Sequence, residues 1–195
     1  MRFFLTRRWR RSDPYWWHWL GRGDGLLVLG VDPGLALTGW ALVEADGGRL
    51  RLSSAGYWRT AAGAEPGARL LQLWDQMGEI LVRTRPGAVA MERLFFSRNT
   101  STAMAVSQAR GVLVCAVAKA GLQLAEYTPA EVKQAVTGSG SADKRQIARM
   151  VRLILDEAGL AGPDDLTDAC AVGICHQHAL GLQRAVAGAA TGARG

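Results

Sequence analysis

Hydrophobic and polar positions change period several times along the chain, and each change marks an element. From Leu26 an unbroken apolar run reaches Asp32 and stops at Pro33-Gly34. A run this short, closed by a turn pair, predicts a buried strand with a sharp exit. Thr38–Ala45 and Arg49–Thr60 predict two more strands, and Asp46-Gly47-Gly48 between them is a hairpin signal. The period then turns helical, with Leu70, Leu71, Trp74, Met77, Ile80 and Leu81 on one stripe, until Pro86-Gly87 stops it.

Ala88–Leu94 predicts a second short apolar strand, with Glu92 near its end. A helix from about Thr102 to Lys119 follows, rich in alanine and glycine, which suits close packing or a dimer contact. Leu122–Tyr127 predicts another strand, and Pro129 suits the first turn of a short helix. After Gly138-Ser139-Gly140, Ser141 is the expected N-cap of an amphipathic helix with Ile147, Met150, Val151, Ile154 and Leu155 on its apolar side. The last helix is expected from near Pro163-Asp164 to about Leu182, with a frayed tail over 184–195. A meander followed by alternating helices and strands predicts an α/β domain over 26–183. Its mixed sheet of about five strands would be flanked by helices on both faces.

Residues 1–25 break this regularity. Trp9, Trp16, Trp17 and Trp19 stand among arginines with no sustained period, so the segment is expected to lie outside the folded domain. It has no uninterrupted apolar stretch of the kind a secretory signal needs. Of the formal net charge of +6, residues 1–24 hold +4, as six arginines against Asp13 and Asp24. The rest is only mildly basic, so charge alone does not identify a polyanionic partner. Cys115, Cys170 and Cys175 sit in apolar helical patterns and are expected as buried, reduced thiols of a cytoplasmic protein. Cys170, Cys175, His176 and His178 match no usual zinc spacing.

The candidate chemistry is acidic. Asp32 and Glu92 both stand at the ends of buried strands, where a charge is costly unless something uses it. Asp165 and Asp168, three apart at the start of a helix, share one face. Four such carboxylates repel one another unless cations neutralise them. Mg²⁺ or Mn²⁺ suits oxygen ligands, and two ions about 4 Å apart serve phosphodiester hydrolysis. Each acid also has a plain structural reading. Asp before Pro-Gly is a common turn residue, Asp164 and Asp165 suit a helix start, and Glu92 beside Arg93 suits an exposed ion pair. Lys133, Lys144 and Arg145 flank the Gly138–Gly140 loop and suit either a phosphate backbone or a solvated helix face. Phe95 and Phe96, followed by Ser97-Arg98-Asn99, suit base stacking or core packing equally.

At these residues the sequence resembles the RuvC family of Holliday-junction resolvases. The carrying segments are Val28-Leu29-Gly30-Val31-Asp32-Pro33-Gly34 with Thr38-Gly39, and Met91-Glu92-Arg93-Leu94-Phe95-Phe96. Next come Gln108-Ala109-Arg110-Gly111, Tyr127-Thr128-Pro129 and Val132-Lys133-Gln134. Gly138-Ser139-Gly140-Ser141-Ala142-Asp143-Lys144 and Asp165-Leu166-Thr167-Asp168-Ala169 complete the order. The resemblance implies an RNase H-like fold and a homodimer that nicks opposing strands of a four-way junction in recombination and repair. It implies Asp32, Glu92, Asp165 and Asp168 as catalytic and metal-holding acids. Lys133 and Lys144 would lie near the scissile phosphate and Phe95 against junction bases. From their places in the Phe95 loop and beside Lys144, and not from the resemblance, Arg98 and Arg145 are expected as further DNA contacts. The resemblance also implies a branch-migration motor of the RuvA and RuvB type as partner. The Trp- and Arg-rich start has no counterpart in the family pattern. Another RNase H-like nuclease acting on RNA–DNA hybrids and a non-catalytic junction-binding protein are the alternative readings. Four acids near DNA argue against the second.

Overall fold

The computed structural model describes residues 25–93 and 100–192. Three strands come first: β1 (Val28–Asp32), β2 (Leu37–Asp46) and β3 (Arg49–Arg59). Helix α1 (Pro66–Thr84), β4 (Ala88–Glu92), α2 (Thr100–Lys119) and β5 (Leu124–Tyr127) follow. The chain ends in α3 (Pro129–Thr137), α4 (Lys144–Leu155) and α5 (Asp164–Gly192). The sheet order is β3-β2-β1-β4-β5, antiparallel across the opening meander and parallel from β1 through β4 to β5.

Side-chain alternation divides the core into two layers. Leu29, Val31, Leu42, Val89 and Met91 face α1 and α2, where Leu73, Met77, Ile80 and Leu113 meet them. Val28, Ala41, Val43, Ala88 and Ala90 face the other way, onto the apolar stripes of α3, α4 and α5. The expected mixed sheet covered on both faces is therefore the one found.

Helix boundaries follow local chemistry. Pro66 opens α1, and Arg85 closes it in the left-handed region just before Pro86. Thr128 and Glu131 form a capping box on α3, which ends at Gly138 with φ of 77°. The cap of α4 is Asp143 rather than the expected Ser141: its carboxylate accepts from Gln146 N at 2.8 Å, and Gln146 Oε1 accepts from Asp143 N at 2.9 Å. The Ser141 hydroxyl instead meets that of Ser139 at 3.1 Å. Two further expectations are corrected. Helix α5 runs past Leu182 to Gly192, because its alanine-rich end favours helix where a frayed tail was expected from Arg184. Cys115 is exposed, since α2 buries only the stripe of Ala109, Leu113, Ala116 and Val117, and its small residues hide that stripe from the sequence pattern.

Helix α5 lies unusually close to the sheet. A Cβ on Gly39 would stand 1.9 Å from the Asp165 carbonyl oxygen, and one on Gly30 would stand 2.3 Å from that of Ala169. Neither contact can be relieved by a side-chain rotation, because both atoms are backbone. Gly39→Ala is therefore expected to cost about 2 kcal/mol or more in urea unfolding. Gly63→Ala, with open space around it, should stay within about 0.5 kcal/mol of the parent.

Candidate active site

The same alternation that builds the core aims the acids. Asp32 has the parity of Val28, and Glu92 that of Ala88 and Ala90, so both project toward α5 at the ends of adjacent parallel strands. Val31 pairs with Met91, which puts Asp32 and Glu92 at the next step of that ladder. Asp32 also pairs with Gly39, directly beneath the first turn of α5. That turn carries Asp165, and one turn later Asp168. Sheet and helix thus bring four carboxylates from three elements to one place.

Their electrostatics are those of a crowded acid site. The Asp32 carboxyl is pushed up from 3.8 to about 8, by burial first and then by Asp168, Glu92 and Asp165, with Lys144 opposing. Burial also raises Glu92, with Asp168 adding to it and Lys133 and Lys144 acting against it. Asp168 is raised in the same way, its burial opposed by Lys144 and Lys133. Lys144, the first residue of α4, places Nζ 3.0 Å from Asp164 Oδ2 and 3.8 Å from Asp168 Oδ2. Its ammonium is held above the ordinary lysine range chiefly by the Asp164 bond.

Lys133 and Lys144 both act on the acid cluster, so the structure brings them to it. Arg145 is exposed on α4 and influences none of the shifted acids. Phe95 and Arg98 lie outside the described residues. Asp164, expected as a helix cap, is the ion-pair partner of Lys144. Glu92 and Arg93 do not pair with each other; Arg93 N donates to Tyr127 O at 2.7 Å.

One contact escaped sequence reasoning. Tyr127, at the end of β5, bonds His176 Nδ1 through its hydroxyl at 2.7 Å and joins β5 to α5 behind the site. Burial holds His176 down at about 4 and pushes Tyr127 up to about 12, so this is a neutral pair. Register alone offered a signal, since Tyr127 pairs with Glu92. Cys175 and His178 have separate partners: Cys175 Sγ donates to Glu131 O, and His178 Nδ1 meets Ala135 O.

The donor set suits a hard divalent cation. Buried carboxylates that raise one another's proton affinity bind such an ion in place of protons and gain by it. Among the described residues no three of them converge closely enough to coordinate one ion, and Lys144 supplies part of the neutralising charge.

The raised Asp32 has a thermodynamic consequence. The folded protein holds this proton between about pH 4 and pH 8, whereas the unfolded chain has lost it. The folded state binds more protons in that window, so metal-free stability falls as pH rises through it. Metal-free Asp32→Asn is expected to lose less Tm than the parent across the same window, measured by thermal melts in chelator. Parallel melting curves would contradict the buried acid cluster.

Comparison with known proteins agrees with this geometry. The model of the family described as crossover junction endodeoxyribonuclease RuvC matches residues 28–176. A RuvC of Chloroflexus aggregans is 51% identical over 151 residues, covering 77% of this chain and 92% of its own. A RuvC of Desulfitobacterium hafniense is 46% identical, covering 84% and 99%. Among solved structures, T. thermophilus RuvC in complex with a Holliday junction substrate superposes with a TM-score of 0.74 at 35% identity, over 77% of this chain and 92% of that one. The four acids, their register on an RNase H-like sheet and these matches lead to one conclusion: the chain belongs to the RuvC family of crossover junction endodeoxyribonucleases.

Proposed function

We propose that this protein resolves four-way DNA junctions by paired nicks in opposing strands, with Asp32, Glu92, Asp165 and Asp168 as its catalytic acids. The observation that supports the reading is the mutual electrostatic influence of these acids between the ends of β1 and β4 and the start of α5, where Asp32 is raised to about 8 by burial and by its acidic neighbours. As a nuclease of this family the chain depends on a divalent metal. The proposal specifies two ions, Mg²⁺ or Mn²⁺, held by the four acids, which supply Lewis-acid activation of water and stabilisation of the leaving oxygen.

The protein's own groups do the rest. Asp32 and Glu92 are fixed by strands, so their carboxylates need little reordering when a phosphate arrives. Asp165 and Asp168 ride on α5, whose first turn favours negative charge. Lys144 balances the cluster before DNA binds and is exposed enough to turn toward a phosphate oxygen. Lys133 supplies a second positive charge on the same side. Phe95 is assigned to junction bases and Arg98 to the backbone of the DNA from their sequence positions soon after Glu92, and Arg145 to that backbone from its position next to Lys144.

The nuclease domain is taken as residues 26–183, with 1–25 as an extension and the end of α5 projecting beyond it. Opposed nicks require two active sites, so the working form is a homodimer, acting with a branch-migration motor of the RuvA and RuvB type. The cytoplasm, where DNA is processed, is its expected compartment. No helix among the described residues is long and apolar enough to cross a membrane.

Asp32→Asn should reduce junction cleavage by about 10²-fold or more while retaining junction binding. Chelator should do the same to the parent. The check is a nicking assay on a mobile four-way junction, a linear duplex and an RNA–DNA hybrid. Symmetric nicks confined to the junction support the assignment, and a fully active Asp32→Asn protein defeats it.

A further inference from the structure

The end of β3 carries side chains that this mechanism leaves unused. Tyr57 pairs with Gly39 and Arg59 with Leu37, while Gly39 pairs on its other side with Asp32. Directly paired residues share a sheet face, so Tyr57 and Arg59 project on the same side as Asp32. Two strand spacings separate Tyr57 from Asp32, roughly 10 Å. Both side chains are exposed, Tyr57 to 46%, although this face is otherwise covered by helices.

The segment is held firmly enough to present them. The Arg59 guanidinium lies over the Tyr57 ring at 5.9 Å from its centroid, a cation–π contact that limits its rotamers. Gln72 Nε2 donates to Arg59 O at 3.1 Å, tying the strand to α1. Buried Thr60 donates to Leu35 O at 2.6 Å and accepts from Arg69 Nε at 2.8 Å. Arg69 thereby pins the strand end to α1 on the opposite face of the sheet. Among the described residues neither Arg59 nor Arg69 has a carboxylate within ion-pair distance. The first turn of α1, which carries Arg69, contains no acid. On the Asp32 face this leaves Arg59 as an oriented guanidinium with no carboxylate partner among the described residues, open to an anion.

We propose that Tyr57 and Arg59 form a phosphodiester-binding subsite for the DNA strand that runs from the acid cluster toward the β3 edge. The roughly 10 Å from Asp32 places the subsite within a few nucleotides of the reacting phosphate. Arginine suits that task, since its planar fork takes two phosphate oxygens at once. Tyr57 acts as a platform that keeps Arg59 aimed. The subsite rests on the reading of the chain as a junction nuclease, and it explains how DNA is held in register although the acids repel it.

Binding of a fluorescent four-way junction, followed by anisotropy across a salt series, tests this with Asp32→Asn as the parent. Arg59→Ala should weaken binding about five- to tenfold at low salt and reduce the salt slope by about one. Arg59→Lys keeps the charge and should recover the slope but only part of the affinity. Circular dichroism controls for folding. Affinity and slope unchanged in Arg59→Ala would overturn the subsite while leaving the nuclease reading intact. A parent that binds no junction would overturn both.

Discussion

Gly30 and Gly39 let the backbone of α5 lie against β1 and β2 at a distance no side chain would permit, and the site exists because of that contact. The first turn of α5 is held over Gly39 through the Asp165 carbonyl, and the next turn over Gly30 through that of Ala169. Asp165 and Asp168 are thereby set beside Asp32. Gly173 continues the approach further along the helix, against Val43. A helix standing off by an ordinary side-chain layer, at roughly 10 Å, would weaken the influence that Asp165 and Asp168 exert on Asp32.

Closeness of this kind has an electrostatic cost, and the surrounding residues answer it in part. Asp32 sits where burial and three acidic neighbours all oppose its charge. Lys144 and Lys133 offset the repulsion at Asp168 and Glu92, and Asp164 holds Lys144 in place. Behind the site, the neutral Tyr127–His176 bond ties β5 to α5 without adding charge. Such an arrangement trades stability of the empty site for affinity toward cations. The same trade favours DNA, because positive charge at the rim, on Lys144 and at the end of β3, meets phosphate that the acids alone would repel.

Much of the architecture was legible in the sequence because hydrophobic periodicity reports burial directly. The short apolar runs Leu26–Asp32 and Ala88–Leu94 read as buried strands, and the glycine pair after Asp46 as a turn. The errors came where pattern and burial separate. Alanine and glycine blur the stripe of α2, which hid the exposure of Cys115. The alanine-rich end of α5 read as a frayed tail although alanine is the strongest helix former. Ser141 and Asp143 are equally good caps by type, and only the position of Gln146 relative to the helix start decides for Asp143.

The sequence by itself determined which residues carry charge at strand ends, while the pairing of β1 with β4 decided that Asp32 and Glu92 face one side. The sequence also held the order of motifs by which the family is recognised. Only the tertiary structure decided that α5 covers that side, that its acids meet the strand acids over Gly30 and Gly39, and that Lys144 reaches them from α4. It alone aligned Tyr57 and Arg59 with Asp32 across two strands. The physical reason is range. Periodicity is set by neighbours a few residues apart, whereas a pKa, an ion pair or a shared phosphate depends on groups brought together through space by packing.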